Sequence, residues 1–410
     1  MALLKINFCK LFHRCCSEGP TVFVTREARL YARLQGSGTR RRKTAKIAGS
    51  VGAIFLGWSL YKKVSYKETP SCASNWEVSL YRKLPLRSLS RAWGKFNDLN
   101  LPEWSRKPLL SIYIRLFGCD LKEAAVEDLK HYKNLGEFFR RGLKPNVRPV
   151  SPDHSLVMPS DGKVLIHGVA DGGTIEQVKN VTYSLKGFLG PNNSQVYEDI
   201  HSSSLSDLEI DKKLREADSE YESMSESNFY RSMLHDRNNR LHYIVVYLAP
   251  GDYHRFHSPT DWVVSHRRHF PGELLSVNPM IARWVQGLFN MNERAVYSGT
   301  WKHGFFSMTA VGATNVGSIK TYFDQKLETN LRSQSSKQMV YYDHAFTDGV
   351  PMKKGELFGE FNLGSTIVLI FEAPKSFEFT DIACNETVRM GQPLGDKTIA
   401  KSARSASAQG

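Results

Sequence analysis

Near its C-terminal end the sequence runs through Phe361-Asn362-Leu363-Gly364-Ser365-Thr366 straight into Ile367-Val368-Leu369-Ile370-Phe371. Five consecutive apolar residues behind a corner of small ones read as a buried strand, and the rest of the chain must be organised around it. Gly364 has no side chain to shield its carbonyl and can take backbone angles closed to other residues, so the peptide bond before Ser365 can be exposed and strained. A hydroxyl placed there could attack its own chain. Gly-Ser-Thr ahead of a strand is also ordinary turn chemistry, and on the tripeptide alone both readings stand.

The length of 410 residues and a 41% hydrophobic content suit one large domain or two modest ones with a real core. A formal charge of +14 suggests nucleic acid, but residues 1–46 hold 11 basic residues against Glu18 and Glu27 and so carry +9 of it. The other +5 lies over 364 residues without a long basic run. That pattern speaks against a nucleic-acid partner and for an anionic membrane surface or a small anionic substrate. The six cysteines include no Cys-x-x-Cys pair, so neither a zinc knuckle nor a disulfide framework is indicated.

Taken in order, residues 1–46 are basic, poor in acid and dotted with short apolar patches, as a mitochondrial transit or matrix-side leader is. Residues 47–61 hold no charge and are bracketed by lysines, which predicts a single transmembrane helix over 47–64. A helical, membrane-proximal region follows over 65–150, with apolar residues at three-to-four spacing between 101 and 117; that helix packs on its own domain or lies on a membrane. Proline and glycine in Phe138-Phe139-Arg140-Arg141-Gly142-Leu143-Lys144-Pro145 close the region. Beyond residue 150 short β-like runs at 163–167, 243–248, 262–265, 306–311 and 366–371 predict a mostly antiparallel, β-rich core. Residues 199–240, crowded with serine and acid, read as a solvated, mobile insertion. The expected class is therefore α+β, with the β-rich core preceded by the helical region and the N-terminal transmembrane helix.

Three segments carry candidate chemistry. Asp252-Tyr253-His254-Arg255-Phe256-His257 invites a metal reading, but Pro250 and Pro259 bracket it, and extended chain sends the two rings to opposite sides. No further ligands stand at typical spacing, so no metal is expected. Opposed rings allow one histidine to serve a nucleophile and the other a bound substrate. Ser160-Asp161-Gly162 puts a carboxylate in a turn before a strand, where it either caps the turn or orients a base. Together Asp161, His254 or His257, and Ser365 supply orienter, base and nucleophile.

Through Leu363-Gly364-Ser365-Thr366, the segment 252–257 and Ser160-Asp161-Gly162, the chain resembles the phosphatidylserine decarboxylase proenzymes, most closely the mitochondrial form. Pro271-Gly272-Glu273-Leu274, Ser276-Val277-Asn278-Pro279, Asn292-Glu293-Arg294 and Val311-Gly312-Ala313-Thr314-Asn315-Val316-Gly317-Ser318 extend the resemblance, which runs from about residue 76 to 394. It implies self-cleavage between Gly364 and Ser365 into a large chain, 151–364 with the residues before it, and a small chain, 365–410, held as a non-covalent pair. Ser365 would become a covalent pyruvoyl group that forms a Schiff base with the amine of membrane phosphatidylserine. His257 and Asp161 match the base and orienting acid of cleavage, and His254 the residue serving decarboxylation. The resemblance also implies the inner mitochondrial membrane, a single pass, and a catalytic domain facing the intermembrane space. Two rivals stand beside it: a membrane-anchored serine hydrolase using the same three residues, and a non-catalytic lipid-binding scaffold.

Overall fold

The computed structural model describes residues 75–170, 172–178, 181–191, 216, 219–314, 318–331, 341–362 and 365–397, all within the unit Thr69–Gly410. The leader at 1–46, the transmembrane helix expected at 47–64, Leu363 and Gly364, and the tail beyond 397 lie outside these residues. Among the described residues no helix is long and apolar enough to cross a membrane.

Helices α1 (Asn75–Arg82), α2 (Leu86–Asn97), α3 (Glu103–Phe117) and α4 (Leu135–Phe139) come first, and α5 (Leu185–Leu189) and α6 (Glu226–Ser232) interrupt the strands that follow. The strands are β1 (Leu156–Val157), β2 (Gly162–Val169), β3 (Thr174–Val178), β4 (Val181–Ser184), β5 (Arg240–Leu248), β6 (Arg255–His257), β7 (Trp262–Phe270) and β8 (Arg294–Trp301). Then come β9 (Gly304–Val311), β10 (Ile319–Thr321), β11 (Tyr342–Met352), β12 (Leu357–Phe361), β13 (Ser365–Ala373), β14 (Phe377–Phe379), β15 (Thr387–Val388) and β16 (Pro393–Lys397).

The apolar run does become the heart of the sheet. Eight strands pair in the order β11-β7-β8-β9-β13-β5-β2-β15, each pair antiparallel. β13 lies between β9 and β5, and all nine of its residues are buried. Burying each of its Ile, Val, Leu and Phe side chains stabilises the fold by about 1.5–3 kcal/mol, an upper estimate because the unfolded chain is itself partly collapsed. A smaller sheet, β10-β12-β6, carries the segment between β5 and β7 across to the chain that precedes β13.

Two local features differ from the sequence expectation. Part of the stretch read as a solvated insertion is packed: Phe229 on α6 and Met233 just after it are buried in the core, and the Tyr221 hydroxyl donates to the Lys186 carbonyl at 2.9 Å. Those apolar residues outweigh the surrounding serines and acids once a partner surface exists. The strands β8 and β11 were also unmarked in sequence, because β8 mixes Arg294, Ser298 and Gly299 with apolar residues and β11 is half exposed along its length.

Candidate active site

Register brings Asp161 and Ser365 to one edge of the sheet. Lys163 at the start of β2 faces Tyr247 of β5, while Ser365 at the start of β13 faces Leu248 on the other side of the same strand. Asp161 and Ser365 therefore flank the point where β5 ends. Gly162 makes this possible: at φ 155°, a Cβ there would run into the Tyr247 carbonyl oxygen. The chain leaving β5 turns through Asp252, whose carboxylate accepts the Ala249 N–H at 2.7 Å, and returns as β6 against β12. Phe361 donates its N–H to the His254 carbonyl at 3.0 Å, four residues upstream of Ser365.

Ser365 is fully buried, and its Oγ has no hydrogen-bond partner among the described residues. A buried hydroxyl left unpaired costs about 1–3 kcal/mol and needs a reason. His254, also fully buried, shares the condition at Nε2. Its Nδ1 lies 2.9 Å from the Asp252 carbonyl oxygen; a carbonyl can only accept, so Nδ1 carries the proton and Nε2 presents a free lone pair. Burial pushes the ring's pKa down to about 3, which keeps it neutral. The Phe139 ring packs on it with centroids 3.9 Å apart.

His257 obeys the same logic with a different neighbour. Its Nδ1 is 2.9 Å from the Gly355 carbonyl oxygen, so its lone pair is on Nε2, where the Tyr253 hydroxyl sits 3.0 Å away. Burial lowers its pKa, and the charge of Asp161 works in the opposite direction. The carboxylate of Asp161 takes the Arg148 guanidinium, Nε at 2.9 Å and Nη2 at 2.6 Å, and the Met390 N–H at 2.9 Å. Thus Asp161 reaches His257 through its field, whereas a backbone carbonyl fixes the ring's tautomer. Arg148 also donates to Glu123 at 2.7 Å, and that hydrogen bond holds the Glu123 carboxyl below its usual range.

Four of these neighbours escaped the sequence reading: Tyr253, Arg148, Phe139 and Gly355. Tyr253 stands immediately before the first of the two candidate histidines, and Phe139 in a run read only as a helix terminus. The turn bearing Phe139 has its own local cause. Asn134 caps α4 by accepting the Glu137 N–H at 2.8 Å, and Glu137 reaches back to the Lys133 N–H at 2.7 Å. Two further histidines lie on β7, His266 3.5 Å from Asp343 and His269 3.0 Å from Glu293. Among the described residues no group of three or more His, Cys, Asp or Glu could hold a metal.

A sequence model described as phosphatidylserine decarboxylase matches residues 135–396, from the start of α4 to β16. The chain belongs to the phosphatidylserine decarboxylase family. It is 53% identical over 357 residues to the mitochondrial phosphatidylserine decarboxylase proenzyme of Cricetulus griseus, with 84% of this chain and 82% of the relative covered. Proenzyme 1, mitochondrial, of Saccharomyces cerevisiae is 42% identical over 374 residues, covering 78% of this chain and 74% of the relative. The Schizosaccharomyces pombe proenzyme 1, mitochondrial, is 40% identical over 389 residues, at 85% and 89% coverage. As a phosphatidylserine decarboxylase, the chain converts phosphatidylserine to phosphatidylethanolamine. In this decarboxylase the motif Asn292-Glu293-Arg294 is structural. Asn292 donates to the carbonyls of Leu275 and Gly312, at 2.8 and 2.9 Å, and the buried Arg294 donates to those of Phe188, Gly187 and Asn290.

Proposed function

We propose that the chain matures by cutting itself between Gly364 and Ser365 and then decarboxylates phosphatidylserine with the pyruvoyl group left at residue 365. The observation that carries this reading is the Ser365 hydroxyl, buried without a partner at the head of the central strand. Ser365 Oγ attacks the Gly364 carbonyl carbon, and its proton passes to a base; His257 Nε2, with its lone pair fixed by the Gly355 carbonyl, is suited to take it. The negative charge of Asp161 favours the protonated ring that results. The amide becomes an ester. Loss of the Ser365 α-proton with departure of the ester carboxylate frees the large chain and leaves dehydroalanine at 365, whose imine tautomer takes up one water and releases ammonia to give the pyruvoyl group.

The buried, small-residue setting of Ser365 fits a pyruvoyl group, whose carbonyl supplies a sink for the electrons released with carbon dioxide. His254 has the complementary task. Being neutral, with Nε2 free, it can accept a proton from the substrate ammonium and return it to the carbon that has lost its carboxylate. Small and large chains would stay paired because β13 is zipped to β5 from Ser365 to Ala373 and to β9 from Thr366 to Phe371.

The setting is a membrane. Trp76, Leu80, Leu89, Leu99, Trp104 and Ile112 on or beside α1, α2 and α3 are large, apolar and exposed, Trp104 by 81%, and Arg82, Lys83 and Lys107 stand near them in the sequence. Such a face suits an anionic bilayer surface, which a phospholipid substrate does not leave. Relatives that carry the word mitochondrial in their names support a mitochondrial site; the basic leader, a single-pass helix at 47–64, the inner membrane and an intermembrane-space domain complete the proposal.

The test is the intact mass of the purified protein beside that of Ser365→Ala. The expected wild type shows a small chain starting at residue 365 and lighter by one ammonia than a serine terminus, and Ser365→Ala shows one uncut chain. An undivided wild type that retains its serine would sink the proposal and restore the hydrolase.

A further inference from the structure

A cavity of about 740 Å³ opens beside the catalytic edge, and the reaction as described so far makes no use of it. One wall is α2, through Ser88, Arg91 and Lys95; the other is Gly136 on α4 with Arg140 just beyond, and Ser318, Asn330 and Asn362 contribute from the loops. We propose that this cavity is the subsite for the phosphodiester of the substrate headgroup, with Arg91 and Lys95 as its anion-binding residues. The inference rests on the decarboxylase reading and says where the headgroup of its substrate sits.

Charge and hydrogen bonding both point to an anion. Arg91 directs one guanidinium nitrogen to Asn330 Oδ1 at 3.3 Å and another to Ser88 Oγ at 3.1 Å, both neutral acceptors. Arg140 shares Glu360, at 3.7 Å, with Arg255 and Lys320. Against Arg91, Lys95 and Arg140 the lining offers only the carboxylate of Asp98, so it keeps a positive excess. Asn97 supplies an independent sign: it is 98% buried at the cavity wall, and neither Oδ1 nor Nδ2 has a partner among the described residues. A buried amide in that state lacks a partner for its N–H₂ donors as well as for its oxygen.

Position ties the cavity to the reaction. Arg140 hydrogen-bonds to Asn362 Oδ1, three residues before Ser365, and its carbonyl accepts from Arg255 Nε at 3.0 Å, next to His254. The same turn lays Phe139 on the His254 ring. In phosphatidylserine only two carbons and an ester oxygen separate the amine from phosphorus, so an amine at residue 365 requires its phosphate nearby. α2 has the geometry to hold both parts of the lipid. Arg91 and Lys95 share one side of the helix, and Leu89 and Phe96 lie exposed on another, where acyl chains would run.

The experiment is steady-state decarboxylation of phosphatidylserine in neutral-detergent mixed micelles by wild type, Arg91→Gln, Lys95→Gln and Arg91→Lys, with the extent of self-cleavage measured on each preparation. Loss of a charge-assisted contact predicts a KM about tenfold higher for Arg91→Gln, with kcat within about twofold, cleavage complete, and partial recovery in Arg91→Lys. Glycerophosphoserine should compete with substrate in wild type at concentrations where inorganic phosphate does not, and should lose that advantage in Arg91→Gln. An unchanged KM with full cleavage overturns the subsite and leaves the decarboxylase standing; so does equal competition by inorganic phosphate. Cleavage failing in Arg91→Gln and Arg91→Lys alike would assign these cations to maturation instead and overturn it too. A wild type that neither cleaves nor releases carbon dioxide refutes the underlying reading itself.

Discussion

The two ends of β13 bury polar groups in opposite ways. At the far end the carboxylate of Glu372, fully buried, accepts the N–H groups of His235, Asp236 and Phe305 at 2.9, 2.8 and 3.1 Å and Asn239 Nδ2 at 2.9 Å. Gly304, at φ 113°, leaves it room, since a Cβ there would collide with Glu372 Oε2. At the near end Ser365 and Thr366 bury hydroxyls with no partner among the described residues. One strand thus carries a satisfied anchor at one end and unsatisfied hydroxyls at the other. Once cut before residue 365, the small chain would remain fixed by the anchored end while its new terminus takes part in chemistry.

Breaking the anchor gives the largest expected change in stability. Glu372→Ala strands four donors and should destabilise the protein by about 3–5 kcal/mol, read by chemical denaturation; a loss within experimental error would mean that the anchor is ornamental. At the reactive end, His254→Ala should still self-cleave yet lose about 10²–10⁴-fold in decarboxylation turnover, and uncut protein would move His254 into the maturation machinery.

The buried histidines separate the ends by pH. Burial sets His254 near 3 and His242, packed on Phe371 beside the anchor, near 4, and also lowers His257. All lie below the ordinary value of 6.5, so their contribution is whole above about pH 6.5 and is lost as pH falls toward the folded values, by at most about 1.4 kcal/mol per pH unit for each ring. Stability of His242→Phe and His254→Phe measured from pH 7 to 5 should each show a shallower slope than wild type. A slope unchanged in both variants would place the acid sensitivity elsewhere. The smallest effect has the opposite sign from Glu372→Ala. Ser365→Ala removes an unpaired buried hydroxyl and should be as stable as the uncut proenzyme that still bears Ser365, or about 1 kcal/mol more so; a clear loss of stability would reveal a partner for that hydroxyl.

Legibility in the sequence followed the range of the interactions. Ile367 to Phe371 announced a buried strand because five apolar residues in a row leave few alternatives, and α3 was visible through its own spacing. Ser365, Asp161 and the two histidines stood out as reactive types beside glycine and proline; Asp161 and Ser365 meet the end of β5 because β5 pairs with β2 on one side and β13 on the other, and the histidines return with β6 against β12. The packed part of the acidic stretch was illegible, since Phe229 becomes a core residue only when the core is assembled.

What the sequence by itself determined is the chemistry available: a hydroxyl behind a glycine, imidazoles held between prolines, a carboxylate at a strand entrance, and the buried strand that Ser365 opens. Tertiary structure alone decided how those groups are set. Gly355, 98 positions from His257, chooses the ring's tautomer, and Met390, 229 positions from Asp161, holds its carboxylate together with Arg148. Burial, with the Phe139 ring packed on it, keeps His254 neutral, and α2 and Arg140 line the cavity that opens past the same turn. The physical reason is one of range. Residue type and periodicity act within a few positions, but a hydrogen-bond partner or a desolvating ring is supplied by whatever the sheet register brings alongside.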